Sequence, residues 1–406
     1  MRVLLAHNFF YLTGGAEVFF FETGRVLEKN GHEVAYFSIR DTQNQTSSWE
    51  KFFGKDPGYS QGNIASKVLR FPRMVYSRPN KWQFAKLLET FKPDIVHVFA
   101  IYVKITPSIL DACREYGVPV VMSCNDYKLI CPNYKLFHHN QICFDCNGKN
   151  FYHAIRNKCC KDSLVFSIAS ALESYINQNI LDIYRKGVRE FLFASEFMAS
   201  TVSNYWGSSF KWAVLRNPYN AQEKPYCPPT GNYFLYFGRM VEEKGILVLL
   251  KAMQNVPEAQ LVLVGDGPEE ELYKQLAAQL NLTNVTFVGK KWGTALEEYL
   301  QAARFVVIPS IWHENFPYVV VQSFAYGKAV IGSDKGGIPE LVHHEKFGYV
   351  YPAMDSEQLS VWINTLWSDP EKCTQMGLDA KLWVDSLFND DVFYQTLLQI
   401  YSRNLG

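Results

Sequence analysis

At 406 residues the chain is long enough for two or three domains of ordinary size, and 48% apolar with 20% charged residues excludes a disordered polymer. Forty basic and forty acidic residues cancel, but residues 1–220 hold 26 Lys or Arg against 18 Asp or Glu, a net of +8 that residues 221–406 balance with −8. No apolar run approaches the roughly 18–20 residues that span a bilayer, which argues against a transmembrane helix.

The start, MRVLLAHNFF, lacks the long apolar core and cleavage site of a signal peptide and reads as a first strand. The expectation is a cytoplasmic protein whose nine cysteines are reduced. Strand-like runs follow at 2–7, 32–39, 94–99, 119–124, 191–195 and 213–217, with a glycine loop and helix over 14–31 between the first two. Residues 217–231, NPYNAQEKPYCPPTG, concentrate proline, asparagine and glycine in the manner of a linker. The alternation then restarts. Strands are expected at 233–238, 284–289, 304–310 and 328–333, a strand and turn at 259–267, helices at 245–253, 268–280 and 294–303, and an all-helical segment from about 356 to 406. Short β-branched and aromatic runs between helices suit parallel sheets covered on both faces. The fold class is therefore α/β, with two doubly wound Rossmann-like domains and a cleft between them. The expected boundaries are a first domain over 1–216, a linker over 217–231, a second domain over 232–385, and a C-terminal helix over 386–406 packed back on the first domain.

Polar groups gather at strand ends in the second half. YFGRMVEEKG puts Arg239 directly after a strand and Lys244 five residues on; two cations there can hold a diphosphate, or can be ordinary partners of Glu242 and Glu243. VGDGP is a strand followed by a glycine turn that lets a ligand approach backbone. In WHENFPYVVVQSFAYG, Pro317 suits the first position of a helix and Gly327 its end, so the amides of 316–318 would form an anion seat beside Glu314. Taken singly, Glu314 reads better as a helix-capping acid and Gln322 as an exposed helix residue.

Together, Arg239 with Lys244, VGDGP, Glu314 with NFP, and the glycines ahead of Glu340 resemble in order and spacing the C-terminal half of the retaining glycosyltransferase family 4. GGAE at 14–17 is similar to the glycine loop of that family's N-terminal half. The resemblance implies the GT-B architecture and transfer of a hexose from a nucleotide-diphosphate sugar to an acceptor hydroxyl with retention. It implies catalytic roles for Arg239, Lys244 and Glu314, and donor binding by Gly14, Gly15, Asn315, Phe316, Pro317 and Gln322, with the base near Gly289–Trp292. It also implies that the two cations replace a metal ion, so that catalysis needs no cofactor; the chain has no Asp-x-Asp motif. The implied role is assembly of cell-surface polysaccharide (O-antigen, capsule or exopolysaccharide) on a lipid-linked or saccharide acceptor.

Two positions depart from the family pattern. Gln322 stands where a second glutamate is common; an amide offers one acceptor oxygen and a donor, so a ribose should be held less tightly. Asn125, in CNDYKLICP, stands where relatives often have histidine, and His97 reads as a packed residue rather than a replacement. These departures keep two alternatives open: a sugar-nucleotide epimerase of the same architecture, and a degenerate nucleotide-sugar binding or scaffold protein.

A cysteine-containing insert is expected over about 127–165. Cys131, Cys143, Cys146 and Cys159, with Cys160 adjacent, are candidate ligands of a structural zinc, with free thiols as the alternative. The basic stretch 67–86, KVLRFPRMVYSRPNKWQFAK, mixes cations with aromatics and suits a membrane surface at the inner face of the plasma membrane, or a solvated helix face. No nucleic-acid motif accompanies it.

Overall fold

The computed structural model describes residues 1–58, 64–207 and 209–405, without the side chains of 64–68. The side chains of Lys67 and Val68, which begin the basic stretch, and Gly406, which ends the expected C-terminal segment, lie outside the described residues. The chain forms two compact units: Met1–Leu136 with Phe144–Pro218 and Phe393–Gly406, and Phe137–Cys143 with Tyr219–Val392.

The strands in chain order are β1 (Arg2–Ala6), β2 (Glu33–Phe37), β3 (Ile95–Val98), β4 (Val120–Cys124), the hairpin pair β5 (Phe137–His138) and β6 (Gln141–Ile142), β7 (Glu190–Phe193) and β8 (Trp212–Val214). Six of them form the first unit's parallel sheet in the order β2-β1-β3-β4-β7-β8. Every residue of β3, β4 and β7 is buried, as a parallel sheet covered on both faces requires.

The helix Asp390–Ser402 packs on this first unit, placing Phe393, Leu397, Ile400 and Tyr401 among Val3, Leu5, Phe19 and Phe99. Polar bonds fix its register. The Tyr401 hydroxyl lies 2.7 Å from His97 Nδ1, and His97 Nε2 lies 2.8 Å from Ser123 Oγ. Buried Glu190 accepts from Arg403 and, at 2.6 Å, from Asn404 Nδ2.

The second unit's strands are β9 (Phe234–Phe237), β10 (Leu261–Val264), β11 (Val285–Phe287), β12 (Phe305–Ile308), β13 (Ala329–Ser333) and β14 (Gly348–Tyr351). They form a parallel sheet in the order β11-β10-β9-β12-β13-β14. Sequence reading finds no strand at β14, because it opens on a glycine. Gly348 is required there: its φ is 144° and a Cβ would stand 1.9 Å from the Val330 carbonyl oxygen on the neighbouring strand.

Two expected boundaries shift. The stretch 219–231 is fastened to the second unit rather than left as a linker. Ala221 is fully buried, Cys227 N donates to Tyr326 O at 3.1 Å, and Gly231 N to Ala302 O at 2.7 Å. The insert expected over 127–165 is also divided. Its β5–β6 hairpin turns at His139 and Asn140, both with positive φ (48° and 58°), and delivers Phe137 and Ile142 to the second unit's apolar cluster.

Burial lowers the His97 pKa from 6.5 to about 3, so the imidazole is neutral in the folded chain. The unfolded chain binds the proton first, and stability falls as pH drops from about 6.5 toward 3. Urea denaturation at pH 7 and pH 5 should show a loss of about 2 kcal/mol in the wild type relative to His97→Gln. Equal pH slopes in the two proteins would refute it.

Candidate functional site

The second sheet reverses its direction of growth between β9 and β12, and the loops leaving these adjacent strands carry most of the residues singled out in the sequence. Open parallel sheets bind ligands beyond the carboxyl ends of the strands at such a reversal. The loop after β9 closes in a 3₁₀ turn, Glu242–Lys244, before the helix Ile246–Met253. Gly245, with φ 69°, makes that closure possible: a Cβ there would lie 1.9 Å from Pro309 O in the loop after β12. The same two loops are joined by Ile311 N donating to Glu243 O at 3.0 Å.

Lys244 and Glu314 meet across this junction. Lys244 Nζ lies 2.6 Å from Glu314 Oε1, and Ser310 Oγ donates to the same oxygen at 2.6 Å. The Glu314 side chain is 8% exposed and that of Lys244 21%. Burial pushes the Glu314 carboxyl up, but the Lys244 charge and the hydrogen bonds from Lys244 and Ser310 outweigh it and hold the pKa below its ordinary value. The acid is therefore ionised at neutral pH.

Arg239 belongs to the same loop but stays outside, its side chain 66% exposed and its Nη2 3.9 Å from Glu243 Oε1. Buried Tyr236 anchors it from below, its hydroxyl donating to Arg239 O at 2.8 Å. Burial raises the Tyr236 pKa well above 10; the Glu314 charge adds to this and the Arg239 charge opposes it, so both charges are felt at one phenol.

The loop after β13 completes the support. Ser333 Oγ donates to Ser310 O at 2.6 Å, and Gly337 N to Glu314 O at 2.6 Å. Gly336, φ 61°, lies so close that a Cβ would stand 2.2 Å from Glu314 O and 2.4 Å from its N. The VGDGP turn packs on the loop after β9 in the same way, with a Cβ on Gly267 reaching 2.1 Å from Met240 O. At the neighbouring strand ends, Gly265 N donates to Gly289 O at 3.0 Å, Lys290 Nζ lies 3.4 Å from Asp266, and Trp292 is 68% exposed.

The amide seat over 316–318 differs from expectation. The helix runs Tyr318–Ala325, so Pro317 precedes it as the cap rather than filling its first position. Proline has no N–H, and Tyr318 N is turned back to Phe316 O at 3.0 Å. Of the three amides only that of Phe316 is left to serve a ligand. Asn315 is buried, the Phe316 ring stacks edge-on to Tyr318 at 5.2 Å, and Gln322 is half-buried in the second turn. Gly327, φ 72°, follows the helix end as expected.

In the first unit, Gly14 and Gly15 stand at the start of the helix Gly15–Lys29. Gly14 is extended (φ −176°), and a Cβ would meet only Glu17 Oε2 at 3.8 Å, so openness rather than a special backbone angle distinguishes it. The first sheet also reverses, between β1 and β3, and Asn8 ties the two loops there. Its Nδ2 donates to Tyr102 O at 2.8 Å and its Oδ1 accepts from Ile105 N at 3.0 Å. Buried His7 lies nearby, its Nε2 3.7 Å from Glu17 Oε1; burial lowers its pKa and Glu17 opposes this. Asn125 is half-buried, and the neighbouring Asp126 carboxyl is pushed up to about 6 by burial.

The candidate zinc ligands Cys131, Cys143, Cys146 and Cys159 are all buried or half-buried. Cys131 lies in the first unit's main core, Cys146 and Cys159 in a satellite cluster with Phe151, and Cys143 on the hairpin of the second unit. Among the described residues no group of three or more His, Cys, Asp or Glu side chains is placed to hold a metal ion.

Sequence reading missed Tyr236, Ser310, Ser333 and Asn8. The two serines had a readable signal, each being the polar residue that ends a buried apolar strand run, VVIPS and AVIGS. Tyr236 had none, since it alternates like any core residue.

Gly336→Ala should cost at least about 2 kcal/mol, through clash and left-handed strain together. Gly289→Ala, at φ 69° with open space around it, should cost only about 1 kcal/mol. Urea denaturation of both variants checks the difference; equal losses would contradict the close packing at Glu314.

Comparisons with known proteins bear on the family and the fold. The model of the Glycosyltransferase Family 4 matches residues 13–223, and that of Glycosyl transferases group 1 matches residues 220–383. An uncharacterized 42.6 kDa protein in the cps region of Klebsiella pneumoniae is 24% identical over 360 residues, 84% of this chain and 87% of its own. The lipopolysaccharide 1,2-N-acetylglucosaminetransferase of Salmonella typhimurium is 28% identical over 262 residues, 60% of this chain and 68% of its own. Among solved structures, Anabaena HepE in complex with UDP superposes with a TM-score of 0.67 at 17% identity, covering 99% of this chain and 100% of that one.

Proposed function

The chain belongs to glycosyltransferase family 4 and is a glycosyltransferase of GT-B fold, and on that premise we propose that it moves a hexose from a nucleotide-diphosphate sugar to an acceptor hydroxyl with retention of anomeric configuration. The observation that carries this reading is the Lys244–Glu314 pair, 2.6 Å apart, at the reversal of the second sheet with Arg239 on the same loop.

Each group has a task in that reaction. As the bond between the anomeric carbon and the diphosphate oxygen breaks, negative charge grows on the leaving diphosphate. Arg239, exposed and 3.9 Å from Glu243, and Lys244 stabilise that charge. Glu314 accepts hydrogen bonds from hydroxyls of the transferred sugar. Lys244 and Ser310 both engage Oε1, and Trp312 also hydrogen-bonds the carboxylate, so these neighbours fix how it meets the sugar. The acceptor hydroxyl attacks from the face the diphosphate leaves, and its proton passes to the departing phosphate. Asn315, Phe316, Pro317 and Gln322 line the donor, the backbone at Gly289–Trp292 meets the base, and Gly14 and Gly15 give the donor phosphate room. The acceptor is a lipid-linked or free saccharide of a cell-surface polysaccharide, in keeping with the lipopolysaccharide and cps-region relatives. Uracil is the first base to try, because HepE was solved with UDP.

A thermal-shift screen of UDP- and GDP-sugars identifies the donor, since a ligand of the native state raises Tm. Product anomers read by NMR then test retention. Arg239→Ala should lower kcat/KM at least about 30-fold, equivalent to about 2 kcal/mol of transition-state stabilisation. Lys244→Ala should lower activity and also stability, by about 3 kcal/mol, because it leaves the Glu314 charge buried without its partner. Wild-type turnover by both variants would sink the assignment. An epimerised sugar nucleotide formed without acceptor would replace it with the epimerase reading.

A further inference from the structure

The helix Leu164–Tyr175, in the first unit, is turned inside out. Ser167, Ala171 and Ser174 form its buried line, with Ala169 and Glu173 beside them. Its large apolar side chains face outward instead: Leu164 is 49%, Ile168 38%, Leu172 42% and Tyr175 47% exposed. Spacings of four, four and three residues place these on one stripe, the reverse of an ordinary surface helix.

Glu173 dictates which face turns inward. Its Oε2 lies 2.7 Å from Lys128 Nζ, with side chains 2% and 7% exposed, and its Oε1 accepts from Asn177 Nδ2 at 2.9 Å. Rotating the helix to bury the leucines would break this pair and strand a buried charge. The apolar stripe is therefore held outside. It is also uncharged, since Glu173 is the only ionisable acid or base among these residues apart from the tyrosine.

Cations border the stripe on two sides. Arg156, Lys158 and Lys161 precede the helix and are exposed, with Asp162 and Asp145 as the nearby acids. The helix Ile64–Val75 packs alongside; it contains no acid, exposes Leu69 (80%), and carries Arg70 and Arg73.

We propose that this face docks the enzyme on an anionic lipid bilayer, the stripe seated at the acyl boundary and the flanking cations among the head groups. An uncharged apolar strip with basic borders has the chemistry of an interfacial anchor. A second copy of the same face is disfavoured, because isologous pairing would set the basic borders against each other. The proposal deepens the lipid-linked acceptor reading by naming the surface that meets the membrane, and its test uses no transfer assay, so the two can fail separately.

Flotation with phosphatidylcholine vesicles, with and without phosphatidylglycerol, tests it. The wild type should float only with the anionic vesicles, and less at high salt. Ile168→Glu with Leu172→Glu should weaken binding at least about tenfold, and Arg73→Gln about fivefold. Circular dichroism and sedimentation velocity on the same samples establish that each variant is folded and report its oligomeric state. The proposal is overturned if the wild type ignores phosphatidylglycerol or if the double variant binds as well as the wild type. It is equally overturned if the wild type is a dimer that the double variant splits, which would give the face to a second copy.

Discussion

The contact between Lys244 and Glu314 is the constraint on which the second unit's ligand end depends. A buried carboxylate is costly unless it is paired, and here the pairing partner comes from a different strand's loop. The pair therefore does two things. It keeps the acid ionised, and it draws the ends of β9 and β12 together where the sheet reverses. Without it the loop after β12 would hold a charge with no reason to stay inside.

The glycines around that pair are what let the backbones come close enough. Gly245 against Pro309, Gly267 against Met240 and Gly336 against Glu314 are all approaches that leave no volume for a methyl group. The first unit solves the corresponding problem differently. At its reversal an asparagine, Asn8, spans the gap by bonding to backbone on the far loop. One reversal is thus built to carry charge and the other to carry a neutral bridge.

Strands that are buried on both faces were legible in the sequence because β-branched and aromatic residues dominate their short runs. The cations and acid of the second unit were legible as types at strand ends. Their contact was not, since it depends on how tightly Gly245 lets two loops approach. The anion seat at 316–318 was misjudged for a local reason. Proline was placed inside the helix, whereas it stands before it, and the following amide folds back on Phe316. The linker was misjudged because its composition describes how a chain turns, not whether Ala221 is buried while it does so. The outward stripe of the helix Leu164–Tyr175 was invisible for a related reason. Amphipathic patterning says which side differs, and only the distant Lys128 says which side goes in.

The return of the helix Asp390–Ser402 to the first unit has a consequence for biosynthesis. Ribosomes release a polypeptide from its amino end, and domains ordinarily mature in that sequence. Here the earlier-made half lacks Tyr401 beside His97 and Arg403 beside Glu190 until the later-made half has been translated. The nascent first half must wait, partly unsealed, while the second one is free to finish ahead of it.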